Sequence, residues 1–196
     1  ELYTELFNEA GGFKCFDGAK VELVLADSTT SSEVGATEFQ RLVEKEGCVA
    51  ILGPINSTVA AVTMPLAERY QVPYLIVNSG ANALTQEPYN YCFRANVADS
   101  KALNLMYTFF EMLRDEKNYP IERVMMVYED TDWGVGVADT LDAVCQEFGC
   151  EMLRESFTTN TPDFSTVINK IKSSDIDLVI VASFVNDAML FSTQMN

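Results

Sequence analysis

From residue 21 onward, short runs rich in β-branched and aliphatic residues alternate with stretches of helical period. A chain patterned this way buries both kinds of apolar surface by laying helices against a parallel sheet, so the alternation predicts an α/β fold. The strand candidates are residues 21–25, 49–52, 74–77, 123–128 and 178–181, with a shorter one at 92–95. Their near-continuous apolar character is that of strands covered on both faces.

The intervening stretches carry stripes spaced three and four apart. Val34, Phe39, Leu42 and Val43 stripe a helix over 32–46, opened by a capping box of Thr30 and Glu33 and closed by Gly47. A second helix, striped by Ala60, Ala61, Met64 and Ala67, follows Ser57, whose hydroxyl is placed as its N-cap. Leu103, Met106, Tyr107, Phe110 and Leu113 stripe another. Val137, Ala138, Leu141, Val144, Cys145 and Phe148 stripe the next, which Gly149 ends, and Phe164, Val167, Ile168 and Ile171 the one after it. Aromatic and Met residues on these stripes read as core.

The strand–helix–strand unit occurs on both sides of a less regular region, 78–100. This predicts two lobes, an N-terminal one over 1–97 and a partial second one over 98–196, joined by short crossings near 96–100. At 196 residues the chain is long enough for two cores of about 100 residues each.

Thirteen Lys and Arg against 29 Asp and Glu give a net charge of −16. Such a surface repels phosphate backbones and anionic lipid, so nucleic acid is excluded as a partner. The acidic residues are scattered, which reads as a solvated face rather than an acidic patch. No apolar run approaches the roughly 20 residues of a membrane span. The opening residues read as the middle of an amphipathic helix, so any targeting segment is expected upstream. Five cysteines are an odd number, so at least one is free or pairs between molecules. Cys145 and Cys150 are spaced to close a small loop, with buried thiols as the ordinary alternative.

Ligands bind parallel sheets beyond the carboxyl ends of the strands, where helix N-termini converge with unpaired N–H groups. That rule selects the loops 27–31, 53–58, 78–82, 129–134 and 183–186. Ser57, Thr58, Asn78, Ser79, Gly80 and Asn82 make two adjacent polar strand ends in the first lobe. Trp133, the single tryptophan, lies after a second-lobe strand, where its ring could stack on a solute or simply pack.

The chain has no histidine, which removes Ser-His-Asp and Cys-His catalysis, His-ligated zinc and His acid–base chemistry from this segment. It contains no phosphate-binding P-loop. Gly134-Val135-Gly136 begins like a dinucleotide fingerprint but has Asp139 where the third Gly or Ala belongs. Asp130 and Asp132 lack the rest of a calcium loop. No catalytic residue, metal or cofactor is expected.

The order of motifs carries a resemblance. Residues 7–13 and 18–27, then 49–57, 72–76, 93–100 and 128–136, resemble successive landmarks of solute-binding proteins of the leucine/isoleucine/valine-binding type, which serve ABC transporters. The resemblance covers nearly the whole chain and implies a type I periplasmic-binding fold whose two lobes close over a solute. It further implies an extracytoplasmic location, periplasmic or lipid-anchored, delivery to a membrane permease, and a first strand preceding Glu1. By motif position, Ser57 or Thr58 and Gly80 with Asn82 resemble contacts to an amino acid's carboxylate and amine. Asp99 resembles an acid that approaches the site from the crossing, and Phe184 a cleft aromatic. Trp133 stands where many relatives have Tyr and Asn82 where Thr is common, and an acidic amine contact is expected beyond residue 196. The alternative from another class is a sensory ligand domain of the same fold controlling an attached output. A flavodoxin-like enzyme ranks behind both.

Overall fold

The computed structural model describes residues 1–86 and 88–196; Glu87, inside the irregular region, lies outside the described residues. After helix α1 (Leu2–Glu9) and a 3-10 turn (Lys14–Phe16) come α2 (Ser32–Glu44), β1 (Ile51–Leu52), α3 (Ser57–Tyr70), β2 (Tyr74–Ile76), a 3-10 turn (Asn82–Thr85) and β3 (Cys92–Arg94). The three strands form one parallel sheet in sequential order, with Ile51 beside Tyr74 and Tyr74 beside Cys92. Phe39 and Leu42 of α2, Ala60, Met64 and Ala67 of α3, and Tyr74 and Ile76 of β2 make its core. The buried Tyr74 hydroxyl keeps a partner, Thr63 Oγ1 at 2.8 Å, and the Phe39 ring meets the Tyr74 ring edge-on at 5.3 Å.

A second sheet follows a short helix α4 (Asp99–Ala102) and α5 (Asn104–Asp115). Its elements are β4 (Arg123–Glu129), α6 (Asp132–Phe148), β5 (Glu151–Phe157), α7 (Ser165–Ser173), β6 (Leu178–Ala182) and α8 (Val185–Met195), and the parallel strand order is β5-β4-β6. The central strand shows why its sequence is apolar throughout. Val124 and Met126 face a cluster with Phe110, Leu141 and Cys145, while Met125 and Val127 face one with Phe164, Ile168, Ile171 and Phe191. Side chains alternate across a strand, so a run with apolar residues at every position is one covered by helices on both faces. The chain leaves β4 for β5 on one side and returns to β6 on the other. The crevice beyond the carboxyl ends of β4 and β6 is therefore a topological switch point.

The structure corrects several expectations. Residues 21–25 are not a strand: they have no ladder partner among the described residues, and Leu23 and Leu25 are exposed while only Val24 packs on the core. β5 was not anticipated, because Glu151, Arg154 and Glu155 interrupt its apolar run; it is an edge strand whose polar residues face solvent. The cap of α2 is Ser31, whose Oγ accepts from Val34 N, in place of the Thr30–Glu33 box. The cap of α3 is Asn56, whose Oδ1 accepts from Thr58 N at 2.9 Å; Ser57 is the helix's first residue instead. The crossing near 96–100 contains the start of α4. All five cysteines are free thiols, with Cys145 and Cys150 buried and Cys15 exposed. No helix among the described residues is long and apolar enough to cross a membrane.

Candidate functional site

Because β1 and β2 are parallel neighbours, their carboxyl-end loops leave the sheet side by side. Hydrogen bonds lock the two together. Ser79 Oγ donates to the carbonyls of Pro54 (3.1 Å) and Ile55 (3.2 Å), and Ala81 N donates to Ser57 Oγ (3.3 Å). Ser57 Oγ accepts that bond and keeps its own proton for another partner. At the end of β3, Asn96 Nδ2 donates to the Asn78 carbonyl (3.3 Å), and Asp99 N donates to the Gly80 carbonyl (3.0 Å). The α4 helix start is thereby held against the β2 loop.

From the other sheet, Trp133 stands in the first turn of α6, whose cap Thr131 accepts from Gly134 N. Phe184 precedes α8. The two rings lie 5.3 Å apart at a tilt of 38°. Phe184 is fixed from below, since its N–H donates to Glu129 Oε1 at 2.7 Å. A cavity of about 230 Å³ is lined jointly by Ile55, Ser57, Asn78, Gly80, Asn96 and Asp99 of the first set of loops and by Trp133 and Phe184 of the second. At about 30 Å³ per water that volume corresponds to roughly eight waters.

Asp99 gives this cavity its charge. Its Oδ2 is buried without a hydrogen-bond partner. Burial raises its pKa above the ordinary carboxylate range, and the Arg94 guanidinium opposes that shift only through space. Arg94 is committed elsewhere, donating to the Ala81 carbonyl and Thr85 Oγ1, both at 2.9 Å. Gly80 makes room for the carboxylate: a Cβ there would lie 2.2 Å from Asp99 Oδ1. The arrangement presents a hydroxyl and a helix N-terminus suited to an anionic oxygen, an unpaired carboxylate suited to a cation, and two rings suited to an apolar body.

Of the residues singled out by sequence, Ser57, Asn78, Gly80, Asp99, Trp133 and Phe184 meet at this cavity. Ser79 does not; its fully buried side chain ties the two loops together. Asn82 sits behind the site, its Oδ1 accepting from Ser100 N at 3.1 Å. Thr58 lies on a neighbouring cavity of about 310 Å³, with Glu129, Thr131, Asn160, Phe184 and Asp187 among its walls. Glu129 and Asp187 are both buried there; Asp187 Oδ2 accepts from Asn160 N at 2.9 Å, while Glu129 Oε2 has no partner. Burial, reinforced by the charge of Asp187, pushes the Glu129 pKa up against the bonds from Phe184 and Ser183. The strand-end rule selected the loop 129–134 without singling out Glu129 at its start, and it missed Asn96, which lies two residues past the end of β3. A larger cavity of about 520 Å³ runs along the unpaired side of β1, lined by core residues such as Phe39, Leu42, Ile51 and Tyr74. Its apolar floor lies beside the edge strand as an uncovered seam of the core, with Asp27, Thr29, Thr30, Glu38 and Asn56 on its rim.

The fold agrees with comparisons to known proteins. Leu/Ile/Val-binding protein homolog 7 of Brucella abortus (strain 2308) is 29% identical over 206 residues, covering 100% of this chain and 49% of the relative; homolog 8 of the same strain is 27% identical over the same span. The chain thus spans about half the length of these relatives. Among solved structures, LivJ of Streptococcus pneumoniae in complex with isoleucine matches with a TM-score of 0.83 at 23% identity over 99% of this chain and 53% of its own. The leucine-binding protein LivK of Thermotoga maritima matches with a TM-score of 0.81 at 24% identity over 91% of this chain and 49% of its own. A solute-binding protein from R. palustris in complex with benzoate matches with a TM-score of 0.83 at 16% identity over 99% of this chain and 52% of its own. These structures share the two parallel sheets flanked by helices. With the periplasmic binding protein family model matching residues 1–196, the chain belongs to that family.

Proposed function

We propose that this chain is the ligand-holding part of an extracytoplasmic receptor that binds an amino acid between two lobes, 1–97 and 98–196, and presents it to an ABC transporter permease without chemically altering it. The observation that carries the reading is the unpartnered Asp99 oxygen at a cavity shared by both sheets. In this reading the solute's carboxylate sits at Ser57 and the start of α3, and its ammonium pairs with Asp99. Its side chain lies against Trp133 and Phe184. Hinge closure then brings the rings onto the ligand. The receptor is periplasmic or lipid-anchored, as in the family.

The test is calorimetry on the full-length protein with α-amino acids, their amides and aromatic carboxylic acids. Binding of an α-amino acid supports the reading; silence across the whole panel overturns it. A second reading, an aromatic carboxylic acid as solute, is favoured by the Trp133–Phe184 pair and by structural neighbours described in complex with benzoate and 4-hydroxybenzoate. The two readings have opposite pH dependence. An ammonium needs Asp99 ionised, whereas a bare carboxylate is repelled by ionised Asp99 and accepted once Asp99 is protonated.

A further inference from the structure

We propose that Cys145 and Cys150 are a cross-linking site: an intramolecular disulfide that pins the end of α6 to the start of β5. The inference rests on how the helix ends and is independent of the solute reading. Gly149 takes up the left-handed conformation (φ 91°), and Cys150 N returns to the Cys145 carbonyl at 3.0 Å. This six-to-one bond is the mark of a Schellman ending, in which the residue after the glycine packs against the residue one turn back inside the helix. Those two packing positions are occupied by cysteines. Both are buried, at 0% and 9% exposure, and both belong to the same core cluster. Helix packing alone would be served by any pair of small apolar residues. Two thiols at the touching positions can also be joined, because a disulfide requires Cβ atoms in near contact.

Oxidation needs an electron acceptor, here a low-molecular-weight disulfide such as glutathione disulfide. One cysteine thiolate attacks a sulfur of the oxidant, releasing one glutathione thiolate and leaving a mixed disulfide. The second cysteine attacks the protein sulfur of that mixed disulfide and releases the other glutathione. Two protein S–H groups are oxidised, one glutathione disulfide is reduced to two thiols, and the two protons go to those thiols. Burial raises both cysteine pKa values, so few thiolates exist in the folded protein and the exchange proceeds while the helix end is open or the chain is folding. Once formed, the bond closes a short ring around Gly149 and fixes the far end of the helix that carries Trp133.

The test uses the full-length protein, unfolded and refolded in glutathione and glutathione disulfide, then alkylated under denaturing conditions and digested with trypsin. Both cysteines fall in the peptide between Arg123 and Arg154. The expected peptide is lighter by two hydrogens and carries no alkyl group. Its halves stay joined after cleavage at Glu147 until a reductant separates them. A doubly alkylated peptide after oxidative refolding overturns the proposal, as does a bridge from either residue to Cys15, Cys48 or Cys92. Thermal unfolding supplies a second readout. The oxidised wild type should melt above the reduced wild type, while Cys145→Ala/Cys150→Ala should melt at one temperature in both buffers. A lower midpoint for the cross-linked protein would show a bond the fold does not fit.

Discussion

Replacing Asp99 by Asn removes a charge and changes almost nothing in shape, so it isolates what the unpartnered Oδ2 does. If that oxygen receives a ligand ammonium, the variant exchanges a charge-assisted hydrogen bond for a neutral one, a loss of about 1.5–3 kcal/mol. This is roughly a 10- to 150-fold rise in Kd for an α-amino acid, read by isothermal calorimetry on the full-length protein. The unliganded protein should respond in the other direction. A carboxyl whose folded pKa lies above its unfolded one binds more protons when folded, so its contribution to stability is lost as pH rises through the interval between the two. Asp99→Asn should therefore leave the unliganded melting temperature unchanged or raised at pH 7, and flatten its dependence on pH in the acidic range. In the wild type, amino-acid affinity should fall as pH is lowered through the raised Asp99 pKa, and Asp99→Asn should abolish that fall. Unchanged affinity together with a lowered melting temperature would refute the assignment and make Asp99 a structural tie between α4 and the β2 loop.

Trp133→Ala should weaken binding by about 1 kcal/mol or more, the order of an aromatic stacking contribution, in a calorimetric titration. Gly80→Ala, whose Cβ would lie 2.2 Å from Asp99 Oδ1, should displace that carboxylate. Its effect on affinity should be no more than additive with Asp99→Asn, and clearly less if both act through the same oxygen, as a double-mutant cycle would report. Glu129→Gln replaces a buried, half-satisfied carboxylate beside Asp187 and should stabilise the protein at pH 7–8 by on the order of 1 kcal/mol. That gain should shrink as pH falls and wild-type Glu129 protonates, measured by chemical denaturation across pH.

The sheet architecture was legible because burial on two faces writes itself into composition. Met125 and Val127 face one layer of helices and Val124 and Met126 the other, so the whole of β4 had to be apolar. β5 escaped because an edge strand is only partly covered: Met152 packs on one cluster and Leu153 on the other, while Arg154, next along the strand, serves ion pairs to Asp139 and Asp142 on α6. Residues 21–25 failed for the opposite reason. Apolar and β-branched residues make a segment fit for a sheet, but a strand exists only when a neighbour completes its ladder. Capping was missed by one residue at both α2 and α3, since Thr30, Ser31, Asn56 and Ser57 are all competent caps and only backbone geometry selects among them.

The site was readable at the level of loops and unreadable at the level of atoms, and the distinction has a physical source. Parallel pairing dictates that the ends of β1 and β2 are neighbours and that the switch point beside β4 is open, whatever residues occupy them. Which side chain then faces the cavity depends on local bonds that the sequence does not print. Ser57 and Ser79 look interchangeable as strand-end serines, yet Ser79 donates to Pro54 and Ile55 carbonyls and is consumed in joining the loops. Ser57 accepts from Ala81 N and retains a proton. A hydroxyl has one proton to give, so the direction of a single hydrogen bond separates a residue that builds the site from one that can address a solute in it. Asp99 extends the same accounting to charge. Arg94 lies near enough to moderate its pKa, but the guanidinium bonds described for it go to the Gly80 and Ala81 carbonyls and to Thr85, and Asp99 Oδ2 is left buried without a hydrogen-bond partner.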